Sequence, residues 1–377
     1  MISVFFTILL TCIQAKEPQF KEQVIDDDIS IGYGLALGDV DGDGRPDIIL
    51  ADKKQFVWYR NGDWKKFILA ENITEHDNVC IAAEDIDGDG KVEIAVGAQW
   101  NPSETSNDQQ SGAVFYLEKP KDVTQRWTPV RLHHEPTTHR MRWVKGHDNK
   151  FYLVVLPLHG VGNKNGEGKG VKIIAYQYPG KTKADWKMFT LDESLHLTHN
   201  LDIIKENGEV KGLYVGGKEG VLFIPNHFSG TLNGKHMMTG MTQPVGEIRT
   251  VPSKDKTPWI ATIQPMHGNK LVVYSNADSK ATVLDEDLKE GHALATGDFL
   301  NAGHLQVVAG WRNPNSEGKV GVKIYVQNGG NWQSFWIDDN SMACEDLQVM
   351  DLNNDGKPDI VAAGRATRNV KIYWNEN

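Results

Sequence analysis

One pattern of sixteen residues recurs along this chain and leaves it few ways to fold. Leu35–Leu50 reads LALGDVDGDGRPDIIL, Ile81–Val96 reads IAAEDIDGDGKVEIAV, and Leu347–Ala362 reads LQVMDLNNDGKPDIVA. Each is an apolar, β-branched run, an acidic turn with glycine, and a second apolar run, which is the pattern of two antiparallel strands. Ala293–Ala309 (ALATGDFLNAGHLQVVA) is a decayed fourth copy. Met141–Leu156, Leu201–Val215 and Ile248–Ile263 keep the two strands without the acidic turn. Such a unit cannot bury its apolar faces alone and must stack on its copies.

The first strands begin near Tyr33, His76, His139, His199, Glu247, His292 and Glu345. The shorter intervals match the roughly 40–50-residue period of propeller blades. A third strand follows each pair, as in Phe56-Val57-Trp58-Tyr59, and a fourth often follows that, as in Trp332-Gln333-Ser334-Phe335-Trp336. The chain is therefore expected to be all-β, a seven-bladed β-propeller with four-stranded blades. The last unit ends after its third strand, at Trp374, and Phe20–Ile25 (FKEQVI) is expected to supply the fourth and remove an open edge. With no linker in view, residues 16–377 read as a single domain.

Composition narrows the partners. The net charge of −10 comes without any Lys/Arg run, which argues against nucleic acid. Ile2–Ile13 is almost wholly apolar but too short for a transmembrane helix, which needs about 20 residues. Residues 1–15 read as a signal peptide, so the protein is expected to be exported. Leu9-Leu10-Thr11-Cys12 loosely resembles a lipoprotein cleavage site. Periplasmic, extracellular and lipid-anchored forms all stay open. Cys80 and Cys344 do not make a disulfide framework, and a monomer is expected.

Asp39, Asp41, Asp43 and Asp47 stand at i, i+2, i+4 and i+8 around two glycines. Hard oxygen ligands in a tight loop suit Ca²⁺. Asp85, Asp87, Asp89 and Glu93 repeat the spacing, as do Asp351, Asn353, Asp355 and Asp359. In the decayed copy only Asp298 survives, so no ion is expected there. The competing reading is a set of solvated Asx turns.

The opposite face collects histidines. First-strand starts and second-to-third-strand loops hold His76, His139, His159, His199, His267 and His292, six of thirteen, together with Tyr33. Converging imidazoles can act as general acid and base, or can bind a transition metal such as Zn²⁺. A water-filled polar channel mouth is the plain alternative. Trp100 and Trp311 could stack on sugar rings, and Arg140, Arg142, Arg249, Arg312 and Arg365 could meet a carboxylate or sulfate. No nucleophile-elbow, zincin or phosphate-loop motif is present.

The acidic turns resemble the FG-GAP/VCBS-type repeat of integrin-like propellers. The mature chain more specifically resembles the aldos-2-ulose dehydratase propeller. Tyr33-Gly34-Leu35, Gln55-Phe56-Val57-Trp58-Tyr59, Pro157-Leu158-His159-Gly160 and Asn163-Lys164-Asn165-Gly166-Glu167-Gly168 carry that likeness. Some polysaccharide lyases share the architecture. The resemblance implies elimination chemistry on sugars, and the histidine funnel read in that light gives His139 and His199 as acid/base groups or metal ligands on an acidic or oxidised oligosaccharide, with His159 and His267 closing the same site and Tyr33 as an acid. Two alternatives stay open. One is a propeller that only binds glycans or proteins. The other is a hydrolase using Glu247 and Glu345.

Overall fold

The structure, a computed structural model, describes residues 17–180, 185–230, 233–251, 259–275, 280–328 and 330–377. The predicted export segment 1–15, with Cys12, lies outside them, as does the turn within the Ile248–Ile263 pair.

Seven four-stranded antiparallel sheets follow one another as blades, and no helix occurs among the described residues. Blade 1 runs Gly34–Gly38, Asp47–Ala51, Gln55–Tyr59 and Lys66–Glu71 from inside to outside. The innermost strands of blades 2 to 7 are Cys80–Glu84, Thr138–Lys145, Thr198–Glu206, Ile248–Val251, Gly291–Gly297 and Cys344–Met350. The long spacings of blades 2 and 3 are taken up by loops, not by extra strands. The third strand of blade 3 is Ile173–Gln177, reached after the loop that holds His159.

Every residue of Asp47–Ala51 is buried. Successive side chains on a strand point to opposite faces, and here both faces meet another blade. Ile49 packs with Ile81 and Val96 of blade 2, whereas Ile48 and Leu50 pack with Val361 and Ile372 of blade 7. This explains why second strands read as unbroken apolar runs. The outermost strand Lys66–Glu71 has solvent on one side and is only partly buried.

The ring closes as expected. Phe20–Asp26 pairs with Asn369–Asn375 as the outer strand of blade 7, in the register Phe20↔Asn375 and Gln23↔Ile372. Asn375 locks the seam, with its amide donating to Phe299 O (2.8 Å) and Pro358 O (3.1 Å).

Candidate functional site

Four of the seven innermost strands share a local irregularity. Their register shifts between Thr138 and Arg140, Thr198 and Leu201, Gly291 and Ala293, and Cys344 and Asp346. The extra residues are His139, His199 with Asn200, His292, and Glu345. A β-bulge re-aims the side chain it carries, and bulges gather beside active sites. Glu247 stands at the same level in blade 5, just ahead of Ile248–Val251. His139, His199, Glu247, His292 and Glu345 are each at most 4% exposed.

These bulges bring four imidazoles together. Ring centroids lie 4.7 Å apart for His139–His199, 4.5 Å for His199–His267, 5.1 Å for His199–His292 and 4.8 Å for His267–His292. His139 Nδ1–H donates to His199 O (2.9 Å), and His292 Nδ1–H donates to Glu345 O (2.6 Å). Both rings therefore keep Nε2 unprotonated. His199 Nε2 lies 2.7 Å from His267 Nε2, so one of the two carries a proton. His199 Nδ1 stands 3.0 Å from Glu247 Oε1, close but out of line, and neither buried atom has a hydrogen-bond partner. Asn200 Nδ2 holds the other Glu247 oxygen at 2.6 Å.

Burial is the first cause of low basicity in this cluster, and neighbouring charge adds to it. It pushes His139 and His292 well below the ordinary histidine range, and Arg140 and His267 respectively push them further. His267 falls to about 2, through burial and then His199. His199 is also lowered by burial, against the pull of Glu247. Burial opposes ionisation of Glu247, but His199, Arg249 and Arg140 outweigh it and hold the carboxyl at about 2. The result is four neutral imidazoles beside a fixed carboxylate. One ligand atom from each of His199, His267 and His292 lies within 4.8 Å of the others. Three imidazole nitrogens, with Nδ1 of His292 anchored to a carbonyl, fit a transition metal such as Zn²⁺.

The remaining expected site residues divide. His159 lies on the seam of blades 3 and 4, bridged to Leu197, with a buried Nδ1 that has no partner. His76 sits four residues ahead of its strand, because the Asp77–Trp100 bridge diverts the chain, and it makes no ring contact with the cluster. Tyr33 donates to Asp77 Oδ2 (3.1 Å), and burial with Asp77 raises its hydroxyl above the ordinary range. Trp100 stacks on His139 at 5.0 Å, which occupies one of its faces. Trp311 is a correction. It is wholly buried between blades 5 and 6, with Nε1 bound to Lys319 O, and offers no face to a sugar. Arg312 and Arg365 both hold Glu345, at 2.9 and 3.0 Å, and Arg249 lies 3.6 Å from Glu247. Arg312 and Arg365 are thus neutralised before any ligand arrives, whereas Arg249 makes no hydrogen bond to Glu247. Sequence reasoning gave Glu247 and Glu345 a part only as hydrolase acids and missed Asn200. The repeated Thr-His pairs Thr138-His139 and Thr198-His199 were the available signal for the bulges.

On the far face, Asp39, Asp41 and Asp43 form one close acidic group, and Asp85, Asp87 and Glu93 another. Asp89 instead lies 3.5 Å from Lys119. Asp47 and Asp359 are wholly buried staples. Asp47 accepts from the Val40 and Asn61 amides (both 2.8 Å), and Asp359 from those of Leu352 (3.0 Å) and Asn375 (2.9 Å). In the third copy Asp351 and Asn353 both accept from the Asp355 amide, at 3.1 Å.

Comparison with known proteins agrees with this architecture. Residues 32–96 match the FG-GAP-like repeat, residues 81–117 the FG-GAP repeat, and residues 111–277 the aldos-2-ulose dehydratase, beta-propeller domain. No curated protein matches the sequence significantly. A chain from the crystal structure of the mitotic checkpoint complex is similar in fold, at 11% identity and a TM-score of 0.60, with each chain fully covered. The extracellular domain of the one component system BT4673 from B. thetaiotaomicron is similar at 12% identity and a TM-score of 0.55. That match covers 94% of this chain and 40% of the other. No helix among the described residues is long and apolar enough to cross a membrane. The chain is thus a seven-bladed β-propeller whose first two blades match FG-GAP-type repeats and whose middle blades match the propeller domain of aldos-2-ulose dehydratase.

Proposed function

We propose that the protein is an exported sugar lyase or dehydratase that eliminates water, or a glycosidic oxygen, from an oxidised sugar. The observation that carries this reading is the cluster of four neutral imidazoles, aimed by β-bulges and set against the Glu247 carboxylate. The match of residues 111–277 to a dehydratase propeller, which includes His139, His199, Glu247 and His267, supports it.

In this reading His199 is the base, with Glu247 stabilising the imidazolium as it forms. The C–H bond α to the carbonyl or carboxylate breaks, and its electron pair becomes the C=C bond. The β C–O bond then breaks, and the departing oxygen takes a proton that the His267–His199 pair shares at 2.7 Å. His139 and His292, fixed by their carbonyl bonds, orient the substrate. A metal ion on His199, His267 and His292 would take up these same lone pairs, so it stands as an alternative to this proton relay; there it would supply positive charge opposite the developing enolate. Ca²⁺ in the acidic turns serves stability and stands on the other face.

The test is mass spectrometry of products from uronate and keto-sugar oligosaccharides. Loss of 18 mass units marks dehydration, and chain cleavage without added water marks a lyase. Either should appear with new ultraviolet absorbance from the conjugated double bond. Folded protein, tested with and without added Zn²⁺, that binds such sugars but changes none of them would leave the binding-module reading in its place.

A further inference from the structure

Beneath the imidazoles the same innermost strands carry three arginines, Arg140 and Arg142 on blade 3 and Arg249 on blade 5. All three adopt one conformation. Each Nη1 donates to the carbonyl of the preceding residue: Arg140 to His139 (3.1 Å), Arg142 to Met141 (2.8 Å) and Arg249 to Ile248 (2.6 Å). That contact fixes one corner of each guanidinium, and among the described residues the remaining donors of Arg140 and Arg142 have no hydrogen-bond partner. Arg140 is only 7% exposed, yet among the described residues no carboxylate lies within ion-pair distance of Arg140 or Arg142.

The carboxylates at this depth are already engaged. Asp346 accepts from the Leu35 amide (2.8 Å) and its neighbour Leu347 (2.9 Å), one with each oxygen. Asp202 accepts from both the amide and the hydroxyl of Thr250 (2.6 Å each). Glu247 is shared among Asn200, His199 and a distant Arg249. The arginines also feel one another. Burial lowers Arg142 below the ordinary range and the Arg249 charge adds to that, which the Asp346 and Asp202 carboxylates offset only in part. Like charges held together out of bulk water are costly without a counter-ion, and guanidinium forks match the geometry of oxyanions.

We propose that the channel below the imidazole cluster is a binding site for one oxyanion, with Arg140, Arg142 and Arg249 as its donors. The anion has two sources, the carboxylate of an acidic sugar or a free sulfate or phosphate. The first source rests on reading the funnel as an active site and makes the substrate a uronate instead of a neutral keto-sugar. The anion site itself does not depend on that reading.

The test uses the full chain in a low-salt zwitterionic buffer, followed by thermal melting and calorimetric titration. Sulfate, phosphate and glucuronate are compared with chloride at equal ionic strength and with glucose. A saturable rise in Tm of about 4 °C is expected at a hundredfold excess over Kd. It should be lost in R142Q and R249Q. A rise with glucuronate alone identifies the sugar carboxylate, and a rise with sulfate or phosphate identifies a free anion; both support the site. If neither variant folds, titration of sulfate and glucuronate into the wild type decides, and absence of heat for both overturns the proposal. So does a rise that chloride reproduces at equal ionic strength, or one that survives in both variants. Turnover of a neutral keto-sugar without any oxyanion binding would overturn this site and leave the lyase reading intact.

Discussion

At the scale of single residues, the proposed chemistry rests on burying imidazoles in their neutral form beside one ionised carboxylate. Replacing His199 by Asn should leave the fold intact and lower kcat by about 10²–10⁴-fold, the usual loss of a general base. Replacing Glu247 by Gln removes the charge opposite His199 and should lower kcat in the same direction, while His304→Ala, on the far face, should be neutral. Full activity in both site variants on a substrate the wild type turns over would move the base elsewhere. Stability carries a second signature. His139, His199, His267 and His292 are all held below the unfolded value of 6.5, so the unfolded chain binds protons that the native state refuses. Their stability is fully present above pH 6.5 and is lost as pH falls below it. The slope approaches about 1.4 kcal/mol per pH unit for each histidine. His134 and His159, also lowered by burial, add to the same fall. Glu247, lowered from 4.5 to about 2, contributes stability that goes only below its unfolded value, while Asp47, raised by burial from 3.8 to about 7, takes its proton first in the folded chain and offsets part of the histidine fall between pH 6.5 and 4.5. Denaturant melts at pH 7.5, 6.5 and 5.5 should show the fall, and H267N should reduce it.

At the scale of the hairpin, the acidic turns hold two separable devices. The first aspartate of each turn accepts two backbone amides: Asp39 from Gly42 (2.6 Å) and Gly44 (2.7 Å), Asp85 from Gly88 (2.7 Å) and Gly90 (3.1 Å). Gly42 and Gly44 stand at φ +83° and +82°, which a side chain rarely tolerates. The decayed turn keeps this bond, with Asp298 accepting from Ala302 and Gly303 (2.8 Å each). The last position is a buried staple in every copy. Glu93 and Gln306 do for Ile86 and Leu300 what Asp47 does for Val40. The middle carboxylates do less: Asp41 and Asp87 each accept one amide, from Asp43 (3.2 Å) and Asp89 (3.1 Å), and Asp43 accepts the Arg45 amide (2.9 Å) and pairs with its guanidinium, so the repulsion a cation would relieve centres on Asp41 and Asp87. Chelation should therefore lower Tm in the wild type but have little further effect in D41A. D47A should destabilise by about 1–3 kcal/mol even after chelation, because it orphans two amides. Melting unchanged by exhaustive chelation would leave these turns as Asx turns without calcium.

At the scale of the whole ring, one strand decides whether the propeller is closed. Phe20–Asp26 covers the edge of Asn369–Asn375, and Phe20 meets the Phe299 ring edge-on at 6.3 Å. Lys371, only 3% exposed, is held by Asp338 and by Glu22 of that strand, both at 3.0 Å. A chain lacking residues 17–26 should melt at a lower temperature and self-associate through the bare edge. Light scattering beside a melting curve checks both. A monomer with unchanged Tm would show that closure by this strand is dispensable.

Blade count, strand order, the closing segment and the facing of the acidic turns were legible in the sequence. They follow from apolar periodicity and turn chemistry, which act between near neighbours and repeat with every unit. The candidate site was legible only in outline. Its histidines lie on four blades, and their spacing of tens of residues carries no distance. Which imidazoles meet depended on the bulges at His139, His199 and His292, on the left-handed turn at His267, and on a loop that carried His76 aside. The same closure of the ring buried Trp311, paired Arg312 and Arg365 with Glu345, and left Arg140 without a carboxylate. Local pattern specifies the blade because a blade is made of local contacts. The site belongs to the axis, where only the assembled ring decides which side chains face one another.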